Sequence, residues 1–144
     1  MFILDTNVLS GVIAAQPATP VAAWMLAQPS KLLFTASVCQ AEILAGIAVM
    51  PHGRRREILD TAARTMFEND FADRELPFDR EAAIGYGDLF AARRRLGRPG
   101  STADLMIASI ARTKAASVVT HDTGDFEHCG LTLIDPWTAQ GISD

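Results

Sequence analysis

Four acidic residues stand where a merely solvated carboxylate is not expected. Asp5 follows the apolar triplet Phe2-Ile3-Leu4, and Asp122 comes just after "SVVT" at residues 117–120. Glu42 lies inside the helical run "SVCQAEILAGIAVM", with Val38, Cys39, Ala45 and Gly46 three and four residues away. Asp104 in "STADLMIASIARTK" shares its helical face with Ile107, Ala108 and Ala111. Taken singly, each acid has an ordinary explanation: a helix cap or a turn for Asp5 and Asp122, the helix dipole for Glu42, a capping box with Ser101 for Asp104. Taken together, unpaired carboxylates near one crevice repel and raise one another's pKa, and a divalent cation removes the conflict. Oxygen-only ligation, with no CxxC and no His pair, favours Mg2+ over Zn2+, with Mn2+ able to substitute. Such a site polarises a phosphodiester, lowers the pKa of a water and stabilises the leaving oxygen. Asp125, three residues after Asp122, is a further ligand candidate.

Short apolar strands alternating with helices must position these acids. Strands are expected at Phe2–Leu4, Leu32–Phe34, Ser117–Thr120 and Leu131–Ile134, with a short extended piece in "ELPF". The spacing predicts helices from Thr6, capped by Thr6 itself, then over 21–26, from Ser37, over 54–71, after an Asp79 cap, and after a Ser101 cap. Pro17 and Pro20 mark a turn before the second helix. The pattern predicts an α/β fold with a central, mainly parallel sheet of four to five strands covered on both faces. In such sheets ligands sit beyond the carboxyl ends of the strands, which is where Asp5 and Asp122 fall.

The bulk numbers fit this picture. A chain of 144 residues, 49% hydrophobic and 21% charged, is expected to form one domain spanning residues 1–144 with a substantial core. No apolar run reaches the ~20 residues of a membrane span, and no secretory signal is evident. Cys39 and Cys129, far apart in sequence, read as reduced thiols, which implies a cytoplasmic protein. The net charge of −4 does not advertise nucleic-acid binding, but arginines cluster at 54–56 and at Arg93, Arg94, Arg95 and Arg98.

These motifs resemble a known family. "ILDTNVLS", "AEILAG", "TADLMIASIA" and "VVTHDTGDF", in that order, with a closing "LIDPW", resemble the PIN-domain ribonucleases and, among them, the VapC-type toxins of toxin–antitoxin pairs, FitB-like subfamily. The resemblance implies a three-layer α/β/α PIN domain and Mg2+- or Mn2+-dependent hydrolysis of RNA. It carries the acidic constellation onto Asp5, Glu42, Asp104 and Asp122, and supporting polar roles onto Thr6, Asn7 and Thr120. It also implies a homodimer and a small DNA-binding antitoxin that inhibits the active site. His121 stands where an Arg is common in that family.

The leading expectation is a metal-dependent endoribonuclease, with Arg93, Arg94, Arg95 and Arg98 steering the RNA backbone. Two alternatives stay open. One is a non-catalytic PIN-like binding module whose acids are structural. The other is an aspartyl-phosphatase-like α/β enzyme, for which a DxD motif and a nearby Lys would be expected.

Overall fold

The structure, a computed structural model, describes residues 1–14, 16 and 19–138. Among these, five strands form one parallel sheet in the order β3-β2-β1-β4-β5. The strands are β1 (Phe2–Leu4), β2 (Leu33–Ala36), β3 (Glu75–Leu76), β4 (Ser117–Val119) and β5 (Leu133–Ile134). The helices are α1 (Thr6–Ile13), α2 (Thr19–Leu26), α3 (Ser37–Ala48), α4 (Arg54–Thr65), α5 (Arg80–Arg95) and α6 (Thr102–Thr113). β1 is central, and Ile3, Leu4, Val118 and Val119 are fully buried, as a parallel sheet covered on both faces requires.

The register pairs Ile3 with Phe34 on one side and with Val118 on the other. From β1 the chain builds first towards β2 and β3, then crosses to β4 and β5. The order therefore reverses between β1 and β4, and the carboxyl ends of these two strands define the crevice. α6 lies deepest, with Leu105, Ile107, Ala108, Ser109, Ile110 and Ala111 all buried. It packs closely on α5: a Cβ at Gly85 would stand 3.2 Å from Ser109 Oγ, whose hydroxyl donates to the Ala82 carbonyl.

Several expected boundaries shift, each for a local reason. Asp5 keeps an extended backbone (φ −73°, ψ 164°) and caps α1 by accepting from Thr6 N–H, so Thr6 is the first helical residue and not the cap. Pro20 lies inside the first turn of α2, where a missing N–H costs nothing; Pro17 is outside the described residues. Leu32 belongs to a 3-10 turn, and β2 extends instead through Thr35 and Ala36. α4 stops at Thr65 and continues as one wide π-type turn, Met66–Asp70, closed by Phe71 N–H donating to Met66 O at 3.0 Å. The wider turn lets Met66, Phe67 and Phe71 all reach the core.

Candidate active site

The sheet delivers Asp5 and Thr120 side by side. Asp5 N–H donates to Val119 O at 2.9 Å, continuing the β1–β4 ladder one residue beyond the strands. Asp5 is 4% exposed. Its Oδ1 accepts from Thr6 N–H at 2.7 Å and its Oδ2 from the Thr120 hydroxyl at 2.8 Å. Asn7 is the tie between strand ends: its Nδ2 donates to Asp122 Oδ2 at 3.0 Å and to Thr120 Oγ1 at 3.2 Å, with Asp5 Oδ2 at 3.5 Å. Its Oδ1 accepts from His121 N–H at 3.2 Å.

Because Asp5 is the helix cap, the Thr6 hydroxyl is free to donate to Glu42 Oε1 at 2.7 Å. This hydrogen bond joins α3 to α1 and brings the third acid in. Glu42 is exposed, which corrects the expectation of an inward, apolar setting: the small residues around it at Ala45 and Gly46 are themselves exposed. Asp104 is half-buried at the start of α6. Its N–H donates to Ser101 Oγ at 3.1 Å, so the capping role and the placement at the crevice coexist. Asp122 and Asp125 both lie at the surface, the first on Asn7 and the second in a 3-10 turn, Thr123–Phe126.

Electrostatics couple the acids through repulsion. Burial pushes the Asp5 carboxyl up to about 6, the Thr120 and Thr6 hydrogen bonds oppose that rise, and the charges of Asp104 and Glu42 add to it. Burial also raises Asp104, partly offset by Ser101, with further upward pressure from Asp125, then Glu42 and Asp122. Asp125 therefore acts more strongly on Asp104 than Asp122 does, while Asp122 is the one fixed by Asn7. Beneath Asp5, the buried Cys39 thiol points at Leu4 O (3.6 Å) and is pushed up to about 12, mainly by burial and then by the Asp5 charge. It is an inert packing group, not a nucleophile.

Among the described residues, no three Asp, Glu, His or Cys side chains are closed round a single point. The donor set nevertheless suits a hard divalent cation: the candidate ligands are all oxygens, and the two most enclosed acids are destabilised by their neighbours' charge. A cavity of about 590 Å³ touches this group only at Thr6 and Glu42, and runs away from it between α1, α3 and α4 over Ile43, Ile47 and Ile58, with Arg54 and Arg55 at its edge.

The arginines at the end of α5 divide. Arg94 and Arg95 are exposed, Arg94 near the Phe90 ring (6.0 Å), and Arg98 pairs with Glu127 at 2.9 Å on the surface. Arg93 is 4% exposed, which removes it from any steering of RNA. Its Nη1 donates to the carbonyls of Glu127 and Gly124, flanking the turn that carries Asp125. The sequence held the signal: Ala82, Tyr86, Leu89 and Arg93 follow one helical stripe, so Arg93 shares the buried face. Arg93→Ala should lower stability by about 2–4 kcal/mol, since two part-buried carbonyls lose their donor and a hole opens where the buried side chain stood. Urea unfolding checks this; an unchanged midpoint would show that the turn holds itself.

The chain matches the PIN domain family over residues 2–130. It is 40% identical over 139 residues to the plasmid stability protein StbB of Pseudomonas syringae pv. tomato, spanning 96% of this chain and 100% of that protein. It is 39% identical to the VapC ribonuclease Y4jK of Sinorhizobium fredii, spanning 95% of this chain and 98% of that protein. The structure of FitAB bound to an IR36 DNA fragment superposes with a TM-score of 0.90 at 29% identity, over 99% of this chain and 100% of that one. The chain belongs to the PIN-domain family, in the VapC/FitB group of toxin–antitoxin proteins.

Proposed function

We propose that the chain, as a single domain, is a Mg2+-dependent endoribonuclease and the toxin of a type II toxin–antitoxin pair. The observation that supports this most is the crowding of Asp5: a nearly buried carboxyl, pushed up to about 6, with the charges of Asp104 and Glu42 acting on it. The charge on that carboxyl costs stability in the metal-free fold, which supports a site used to bind something positive. Asp5, Asp104, Glu42 and Asp122 would hold the ion, with Asp125 beside Asp104; when bound, it offsets their repulsion, polarises the phosphodiester and makes water more acidic.

The remaining work falls to the chain's own side chains. Thr120 and Thr6 N–H fix both oxygens of Asp5, so its orientation is set before any ligand arrives. Asn7 holds Asp122 in place from the opposite strand end, and Thr6 holds Glu42. Hydrolysis adds the oxygen of water to phosphorus and releases the 3′-oxygen with a proton, leaving 5′-phosphate and 3′-hydroxyl ends.

Arg94 and Arg95 remain exposed and available to the RNA backbone, against an otherwise acidic molecule, and Arg98 would reach it by exchanging its surface pair with Glu127. We take the protein to be a cytoplasmic homodimer; among the described residues no helix is long and apolar enough to cross a membrane. A small DNA-binding antitoxin is the proposed inhibitor, as the similarity to FitAB bound to DNA suggests. The apolar cavity leading to Glu42 offers it a path to the acids.

The test is cleavage of single-stranded RNA before and after EDTA, then with Mg2+ or Mn2+ restored. Activity should vanish on chelation and return with either ion. Cleavage that persists in EDTA would overturn the metal-dependent reading.

A further inference from the structure

His121 enters the acid network only through its backbone N–H; its imidazole is not among the groups that hold Asp5 or Asp122. The side chain is 55% exposed, yet it is not loose. Its Nδ1 lies 3.2 Å from Asp135 Oδ2, and Asp135 also accepts from Trp137 N–H at 2.9 Å. The Trp137 ring sits 4.7 Å from the imidazole, tilted by 51°. One carboxylate, only 16% exposed, thus holds the imidazole directly and the Trp137 backbone, whose ring packs against the imidazole. The result is an imidazole held by a carboxylate and packed against a tilted indole, next in sequence to Asp122, at the carboxyl end of β4.

We propose that His121, held by Asp135 and backed by Trp137, is a stacking platform for the nucleobase adjoining the cleaved phosphate. This rests on the ribonuclease reading above. The acids alone repel an RNA backbone, so affinity must come from elsewhere, and unpaired bases stack readily on immobilised aromatic rings. Pre-orientation matters because the ring's rotamer freedom is already lost before RNA binds. Stacking is tolerant of base identity, so the platform supplies affinity for single strands and not a sequence code.

Three variants separate stacking on the ring from a phosphate contact, with kcat and KM measured on a single-stranded RNA oligonucleotide in Mg2+. His121→Ala should raise KM about 5- to 100-fold with kcat little changed. His121→Phe, which keeps the plane, should stay close to the parent, and His121→Lys, which supplies a cation without a plane, should behave like the Ala variant. In an Asp5→Asn background, 2-aminopurine beside the cleavage point should lose its fluorescence change when His121 is Ala. An unaltered KM for His121→Ala overturns the platform while the nuclease reading stands. So does rescue by Lys but not by Phe, which would assign a phosphate contact. A parent protein that cleaves no RNA overturns both.

Discussion

Replacing Asp5 by Asn should lower cleavage at least about a thousandfold while making the metal-free protein more stable. The first effect follows from removing the most enclosed charge available to the cation, whose stabilisation of a phosphoryl transition state amounts to several kcal/mol. The second follows from the acid's surroundings. Its pKa rises from 3.8 in the unfolded chain to about 6 in the fold. Between those pH values the unfolded chain has lost the proton and the native state has kept it. The native state binds more protons there, so stability falls as pH rises from about 4 through about 6 and stays low above. The displacement corresponds to about 3 kcal/mol at neutral pH. Asp104, raised chiefly by burial as well, acts in the same direction. Asn also remains a good cap for α1, so that helix is not sacrificed.

Urea unfolding of the metal-free protein across pH 4 to 7 measures this directly. The parent should lose stability over the window, and Asp5→Asn should lose distinctly less. Cleavage by the Asn variant at the parental rate would remove Asp5 from the site. A parent whose stability climbs through the window would show that its carboxyl is not strained by burial at all.

The other large effect should come from a residue with no polar group. Phe126, 1% exposed, closes the turn that carries Asp122 and Asp125 and seats it against α6 and β5. Phe126→Ala should cost about 3–5 kcal/mol, because the ring's transfer energy is lost and the cavity cannot fully collapse against packed strands. For a chain of this length the melting temperature should drop by roughly 10 °C or more. Phe126→Leu should recover most of the loss. Calorimetry decides it; a drop of only a degree or two for the Ala variant would mean that the turn is not seated by that ring.

The sequence reveals the frame of the site better than its edges. The apolar triplet at residues 2–4 and the Val118-Val119 pair in "SVVT" are enough to read as buried strands, and the strand-end rule then locates Asp5 and Asp122. Ser101 and Asp79 are legible caps because their side chains bond to backbone close by. What was not legible depends on tertiary partners. Thr6 looks like a cap until β4 holds Asp5 extended through Val119. Glu42 looks inward because its helical neighbours are small, yet helix packing leaves that face exposed. Arg93 reads as part of a charged surface run until the stripe through Ala82 and Leu89 is seen to bury it. The pairing of His121 with Asp135 and Trp137 depends on β5 lying beside β4, which no local pattern announces.

The hydrogen bond from Thr120 to Asp5 spans 115 residues of chain, and this sets a clock. During synthesis Asp5 emerges first, but its neighbour strand is made last among those that touch β1. At ribosomal speeds of about 5–20 residues per second the interval is roughly 6 to 23 s. Until it has passed, the first acid has neither the hydroxyl that orients it nor the Asn7–Asp122 bridge across the crevice. For a protein proposed to destroy RNA in the cell that makes it, the order of translation then delays assembly of the acid site until residues 117–122 have been made.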